Sequence, residues 1–336
     1  MGQFIEQRGS NKNRIFPKTP QPQIQPGSIC NIELMYRYVA SKGKDLAQRV
    51  ETTMSVRTYN EFVDAPEQQK VEQLEYLHYP FWTLLSSAFL IAVFCFEYYY
   101  SGGFIAWSVN PFFGPSLYAL QALGARTSNR IYERHQYFRM CNSLALHAGV
   151  IHLLLSLAYH ATLLWPAERR YGFHKVFPLY FISALVGNLF SIMFVPSLPS
   201  VGPNGAFAGL LSLRALELYV QRKSEVPATW TDWISFFISL LGLFGGGVLP
   251  YIDNFAQLGG LIIGFFIALC FIPELDPAVS RRVVVLVGLS GSIVCGAVVL
   301  GLFFYNTTPT TWCSYCYYVD CLPITGFCGP RQLVVQ

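Results

Sequence analysis

The chain has 336 residues, of which 53% are hydrophobic and 12% are charged, and its formal net charge is +4. Soluble domains carry about 25% charged residues, so this composition excludes an ordinary soluble protein and indicates a chain that lies in the lipid bilayer. The small net charge also gives no indication of a nucleic-acid partner.

Seven apolar stretches approach the length of about 20 residues that a helix needs to cross a bilayer. They cover residues 81–99, 143–165, 176–195, 204–220, 233–251, 254–272 and 283–305. We therefore predict an all-α polytopic membrane protein with three parts. These are a largely disordered cytosolic region over residues 1–79, a transmembrane domain over residues 80–305 and an exoplasmic, cysteine-rich tail over residues 306–336.

The Lys and Arg residues between the predicted spans indicate the orientation of the chain, because cytosolic loops are enriched in them. Three short loops carry them: Arg169, Arg170, Lys175, Arg222, Lys223, Arg281 and Arg282. This pattern predicts a cytosolic N-terminus and a lumenal or extracellular C-terminus. The loop over residues 100–142 would then lie on the opposite side although it carries four arginines, so we predict a folded element in which Arg126, Arg130, Arg134 and Arg139 pair locally.

The tail holds four cysteines within sixteen residues: Cys313, Cys316, Cys321 and Cys328. Four closely spaced cysteines suit either a zinc ion or two disulfides. Because the predicted side of the membrane is oxidising, we favour two disulfides.

Three polar motifs stand in order within the apolar segments, and two of them lead into glycine pairs. The motifs are His147-Ala-Gly-Val-Ile-His152, Gly202-Pro203-Asn204-Gly205 and the run from Asp253 to Gly260, which includes Gln257. The pairs Gly205/Gly209 and Gly260/Gly264 have the four-residue spacing that lets helix backbones approach closely in lipid. Gln257, Gly260 and Gly264 share one helical face. If the two glycine faces meet, Asn204 and Gln257 come within side-chain reach.

The framework and order of these motifs resemble the rhomboid intramembrane serine proteases, which carry HxxxxH, GxSG and AHxGG at these places. Further runs resemble the eukaryotic secretory-pathway class: 110–116, 123–125, Phe138-Arg139, 168–172 and the cysteine-rich tail. The resemblance implies a rhomboid fold, with a six-helix core and a seventh, C-terminal transmembrane helix. It also implies a membrane of the secretory pathway, which means the endoplasmic reticulum, the Golgi or the plasma membrane.

The resemblance also implies a site without protease chemistry. In an active rhomboid the serine attacks the peptide carbonyl, and the sixth-span histidine takes its proton. Asn204 stands at the serine position and Gln257 at the histidine position, so neither nucleophile nor general base is present. Pro203 lacks a backbone donor beside the expected oxyanion position, and the Gly202-Pro203 loop resembles that of inactive rhomboids. Ser156 stands where the family usually has asparagine.

The two histidines of the first motif allow several interpretations. Residues five apart do not share a helical face well, and no cysteine or carboxylate cluster joins His147 and His152, so we expect no metal and no other cofactor. His152 could instead hydrogen-bond Asn204, Ser156 or a buried water. Ser156, four residues from His152, could also act as a substitute nucleophile, but a local hydrogen bond is the commoner role for such a pair.

We therefore expect an inactive rhomboid-like protein that binds single-span membrane proteins as clients and influences their trafficking, retention or degradation. Two alternatives are an active protease with an unorthodox centre and a transporter or channel. The inactive rhomboids that share the Gly-Pro loop carry a large first-loop domain and a long cytosolic extension. Here the loop spans residues 100–142 and the extension residues 1–79, so an inactive member of the secretory-pathway class is the closer description.

Overall fold

The computed structural model describes residues 78–195, 199–222, 227–272, 279–305, 313 and 315–320. The predicted disordered region therefore lies almost entirely outside the described residues. Within them the regular elements are helices, and strand-like pairing is confined to one isolated bridge between Arg126 and Ser200.

The long helices follow the predicted spans in order, and shorter ones lie in the first loop and the tail. They are α1 (Phe81–Ser101), α2 (Leu117–Leu123), α3 (Ser128–Tyr132), α4 (Arg139–Asn142), α5 (Val150–Tyr159), α6 (Trp165–Tyr171), α7 (Phe173–Ile192), α8 (Asn204–Gln221), α9 (Trp230–Gly246), α10 (Asn254–Leu269), α11 (Arg281–Tyr305) and α12 (Tyr317–Asp320).

Every predicted span corresponds to a helix, although the lengths differ. Among the residues that the structure describes, four helical segments are long and apolar enough to cross a membrane: Phe81–Ser101, Val150–Tyr171, Phe173–Ile192 and Arg281–Tyr305. The apolar helix Asn254–Leu269 is shorter. The all-α polytopic architecture predicted from the sequence is therefore confirmed for the described residues.

The second predicted span begins too early in the sequence-based assignment. Residues 143–149 are not part of the long helix, which begins at Val150. Polar groups from elsewhere hold this segment out of a helix: the Glu97 carboxylate accepts from the His147 backbone N–H (3.0 Å), and the Asn110 amide donates to the Ala148 carbonyl (2.7 Å). Hydropathy alone does not reveal such partners, which lie 38 and 50 residues away in the chain.

The core is a three-helix packing of α7, α8 and α10. The predicted glycine faces meet there: a Cβ on Gly260 would overlap the backbone of Gly205, and one on Gly264 would overlap the backbone of Gly209. Because lipid tails are as apolar as leucine, close backbone packing of this kind is a main source of helix association in membranes.

The glycine interface makes a testable prediction about stability. Gly260→Leu should lower the free energy of unfolding by at least about 3 kcal/mol, at the upper end of overpacking costs, because the added atoms meet backbone that cannot rotate away. The matched control is Gly301→Leu on α11, where a Cβ meets nothing within 4 Å and the cost should stay within about 0.5 kcal/mol. Unfolding in a detergent titration measures both, and equal costs would contradict the interface.

Between α5 and α6 the helix passes through one π-helical turn, His160–Leu164. His160 in this turn joins two neighbouring helices: its Nδ1 lies 2.8 Å from Ser87 Oγ of α1, and its Nε2 lies 3.2 Å from Tyr180 Oη of α7. The α5–π–α6 segment is thereby tied to both neighbours at mid-length.

The buried carboxylate of Glu168 connects the C-terminal end of this segment to the start of α1. Glu168 accepts hydrogen bonds from the backbone N–H groups of Trp82 and Thr83 and from the Thr83 hydroxyl, each at 2.7 Å. The first N–H groups of a helix have no partner within the helix, so Glu168 satisfies donors at the start of α1.

The first loop is folded against the bundle, but two of its arginines, Arg139 and Arg126, have different kinds of partner. Arg139 is buried and donates to carbonyls of its own loop, Gln121 O (2.7 Å) and Ala125 O (3.0 Å), as predicted. The prediction of local pairing is wrong for Arg126, which instead forms a buried ion pair with Asp253 at the start of α10.

Candidate functional site

One residue from each of the three motifs, His152, Asn204 and Gln257, lines a common cavity beside α9. Asn204 and Gln257 both line it, as the glycine spacing predicted. The remaining lining consists of His152, Leu155, Ser156, Tyr159, Phe207, Gly242, Leu243, Gly246 and Ile252. Side chains of α5, α8, α9 and α10 therefore meet around a common space.

The loop before α8 packs closely against His152 of the first motif. Gly202 has a φ of +92°, which suits glycine, and its N–H donates to the Ser143 carbonyl at 2.8 Å. A Cβ at Gly202 would lie 2.6 Å from His152 Cε1, so no other residue fits without movement. Asn204 begins the helix and turns its amide back to the Val201 carbonyl at 2.9 Å.

Gln257 contributes the unusual feature of this cavity. Its side chain is fully buried, yet neither Oε1 nor Nε2 has a hydrogen-bond partner in the part of the chain that the structure describes. Burying an amide without partners costs roughly 1–3 kcal/mol in proteins. The side chain therefore offers one unused donor group and one unused acceptor to whatever enters the cavity.

The two histidines are closer than their spacing suggested. Their ring centroids are 5.1 Å apart, because His147 lies in the extended segment before α5 rather than on its helical face. The argument that residues five apart do not share a helical face does not apply to this pair, because only His152 lies on the helix. Within the described residues, however, no group of three or more His, Cys, Asp or Glu side chains is arranged to hold a metal ion.

Ser156 hydrogen-bonds His147 rather than His152. His147 Nδ1 lies 3.2 Å from the Ala145 carbonyl, which requires a donor, so Nε2 accepts from the Ser156 hydroxyl at 3.1 Å. His152 Nδ1 accepts from the Ala148 backbone N–H at 3.2 Å, which leaves the proton on Nε2. This tautomer makes His152 a donor beside Asn204 in the cavity.

The sequence analysis did not predict the ion pair between Arg126 and Asp253 at the start of α10. Asp253 caps α10 by accepting from the Ala256 N–H (2.8 Å), and it also pairs with Arg126 and accepts from Ser191 Oγ (2.5 Å). An aspartate just before an apolar helical run is a usual capping signal, so its role at α10 was readable. Nothing in the sequence connects it to an arginine 127 residues away.

The tail cysteines lie partly in the described residues. Cys313 and Cys316 form a disulfide. Cys321 and Cys328 lie outside the described residues, so the second disulfide stays a prediction.

Residues 134–274 match the family model described as the Rhomboid domain. Over these residues the chain is similar to the rhomboid family. All three site motifs fall inside the matched residues, as do Phe138-Arg139 and the run 168–172, and the resemblance drawn from these motifs is confirmed.

The curated relatives that this chain matches include proteins named inactive rhomboid protein 1 and inactive rhomboid protein 2. The chain is 33% identical over 208 residues to inactive rhomboid protein 1 of Homo sapiens and 32% identical over 208 residues to that of Rattus norvegicus, in each case 60% of this chain and 24% of the relative. It is 33% identical over 204 residues to inactive rhomboid protein 2 of Homo sapiens, covering 59% of this chain and 23% of the relative. The chain thus spans about a quarter of the length of the curated relatives it matches.

Proposed function

We propose that this chain is a rhomboid pseudoprotease, a multi-pass membrane protein without hydrolytic activity that binds transmembrane segments of single-span proteins. The observation that supports the lack of hydrolytic activity is the presence of Asn204 and Gln257 at the cavity. Neither side chain attacks a carbonyl or exchanges protons near neutral pH. The relatives named inactive rhomboid proteins support the same conclusion.

The unpaired groups at the cavity support client binding. Within the described residues, Gln257 presents one donor group and one acceptor that are buried without partners. A client helix with an exposed polar group or a local break in its backbone exchanges its own unsatisfied groups for these. Such interhelical hydrogen bonds are worth about 0.6–2 kcal/mol each, so we expect weak, reversible binding that selects unstable helices.

Helix α9 supports a lateral path to the cavity. Its first turn is fixed to α8 through Asp232, which accepts from Arg214 at 2.5 Å. Farther along, only Ser239 and Leu243 of its side chains are buried, while Phe237 and Leu241 are exposed. A Cβ on Gly245 would meet nothing within 4 Å. A helix fixed at one end and loosely packed at the other can move aside for a client.

A crosslinking experiment tests this proposal. A photo-crosslinker at Phe237 should capture a synthetic single-span helix with a central Gly-Asn pair in preference to the same helix with Leu-Leu, when both are reconstituted with the full chain in liposomes. Gln257→Leu should reduce the preference several-fold, because it removes the free donor and acceptor. Gly246→Leu should also reduce capture, because Gly246 lines the cavity.

The matched control is Gly245→Leu, which adds the same side chain one residue away, outside the lining, and should reduce capture less. Equal capture of the two helices, or capture only from residues 1–79, would mean that the transmembrane domain merely anchors an N-terminal interaction segment. We further propose that binding steers the trafficking, retention or degradation of clients in the secretory pathway, with the N-terminus in the cytosol.

One contact favours a second candidate function, an active protease with an unorthodox centre. The Ser156 hydroxyl donates to His147 Nε2, which is the arrangement of an activated nucleophile and its base. Ser156 also lines the cavity. Cleavage of a transmembrane substrate that disappears in Ser156→Ala would establish this candidate in place of the first.

A further inference from the structure

The short tail helix α12 is attached to the start of α10 by two hydrogen bonds. Asp320 Oδ1 accepts from the Asn254 backbone N–H at 2.7 Å, and the Asn254 side-chain amide donates to the Val319 carbonyl at 2.8 Å. Cys316 packs in the same apolar cluster as Phe255. The attachment therefore lies beside the first turn of α10, three residues before Gln257.

Two buried carboxyl groups face each other at this attachment. Asp320 is 2% exposed and Asp253 is 1% exposed, and the N–H that Asp320 accepts belongs to Asn254, the residue directly after Asp253. The charged group that faces the pair from the first loop is Arg126, which is bonded to Asp253. Among the described residues, no donor hydrogen-bonds to Asp320 Oδ2. Two carboxylates beside one arginine leave one negative charge uncompensated in a dry environment, which costs several kcal/mol.

We propose that Asp320 carries a proton which it donates to the Asp253 carboxylate, and that this proton-binding site holds the C-terminal tail against the bundle. Asp253 keeps its charge because Arg126 and Ser191 stabilise it. The protonated Asp320 still accepts from the Asn254 N–H through its carbonyl oxygen, so both of its oxygens are satisfied. This inference does not rest on the proposed client binding.

The site links attachment of the tail to pH. Burial, and then the charge of Asp253, raise the pKa of Asp320 to about 9 from its ordinary value of 3.8. A raised pKa means that attachment takes up a proton between these two values. Attachment is therefore fully stabilised at acidic pH, below the pKa of the free tail, and this stabilisation is lost as the pH rises towards 9. Within this window the equilibrium constant for release of the tail should rise about tenfold per pH unit.

Hydrogen exchange on the full chain in lipid nanodiscs tests this link at pH 5.5, 6.5 and 7.5. The rates for peptides covering Asn254 and residues 315–320 are divided by the intrinsic exchange rate at each pH. The release constant of the unaltered protein should rise about 100-fold from pH 5.5 to 7.5. In Asp320→Asn the rise should disappear while the tail stays attached, because the amide donates to Asp253 and never ionises. Asp320→Ala should release the tail at every pH.

The matched control is Asp232→Asn, a carboxyl group at the start of α9, which should keep the slope of the unaltered protein. Infrared difference spectroscopy gives a direct readout: a protonated carboxyl band present at pH 7 should be missing in Asp320→Asn. A release constant independent of pH in the unaltered protein, an equal slope in Asp320→Asn, or a spectrum without that band would each overturn the proton-binding site.

Discussion

The unaltered protein should leave a transmembrane substrate of active rhomboids uncut, and Asn204→Ser combined with Gln257→His should cleave it at least about 100-fold more slowly than an active rhomboid. The double variant supplies a nucleophile and a base, but not the groups that stabilise the oxyanion. Pro203 has no N–H to donate, and the Gly202 N–H is already bonded to Ser143. Loss of one oxyanion donor typically costs about 10²–10³-fold in rate.

A stepwise repair separates the causes. Adding Pro203→Ala and Ser156→Asn to the double variant should raise the rate by at least about tenfold, because each restores a donor to the site. The control is the same quadruple variant with alanine at position 204, which should be inactive in a gel assay of purified protein in liposomes. A double variant that alone matches an active rhomboid would show that two residues account for the whole inactivation.

Removing one partner of the buried Arg126–Asp253 pair should strongly destabilise the fold. Arg126→Leu should lower the free energy of unfolding by about 3–5 kcal/mol, because it leaves a buried carboxylate without its cation. Asp253→Asn should cost a similar amount for the opposite reason, while still accepting the capping bond from Ala256. The double variant should cost less than the sum of the two.

Lys175→Ala is the control for this cycle, because Lys175 is exposed and its loss should stay within about 0.5 kcal/mol. Detergent titration of the purified proteins gives the four free energies. Additive costs in the double variant would mean that the two side chains do not depend on each other.

The parts of the fold and site that the sequence predicted follow from local spacing. Gly205, Gly209, Gly260 and Gly264 stand four apart within apolar runs, and this spacing alone predicts that two helices meet closely. The meeting of Asn204 and Gln257 in one cavity is then a consequence of helical geometry, because Gln257 shares the glycine face. Arg214 and Glu217, three apart on α8, form an ion pair at 3.1 Å, a contact that helical spacing favours.

The parts that were missed depend on partners distant in the chain. The sequence placed residues 143–149 in a helix, so the contacts His147–His152 and His147–Ser156 could not be foreseen. Asp253 carries a local capping signal, but its pairing with Arg126 and Asp320 carries none. The first-loop arginines were assigned by charge counting, which does not separate Arg139, bonded within its loop, from Arg126.

The π turn at His160–Leu164 determines in which directions the side chains at the two ends of the α5–π–α6 segment point. Each residue of an α-helix turns the chain by about 100°, so a turn with one extra residue rotates everything beyond it relative to an unbroken helix. His152 and Ser156 before the turn point into the cavity, and Glu168 beyond it points to the start of α1. In an unbroken α-helix one of these two directions would be lost. The π turn therefore allows one transmembrane segment both to line the cavity and to accept hydrogen bonds from the first turn of a neighbouring helix.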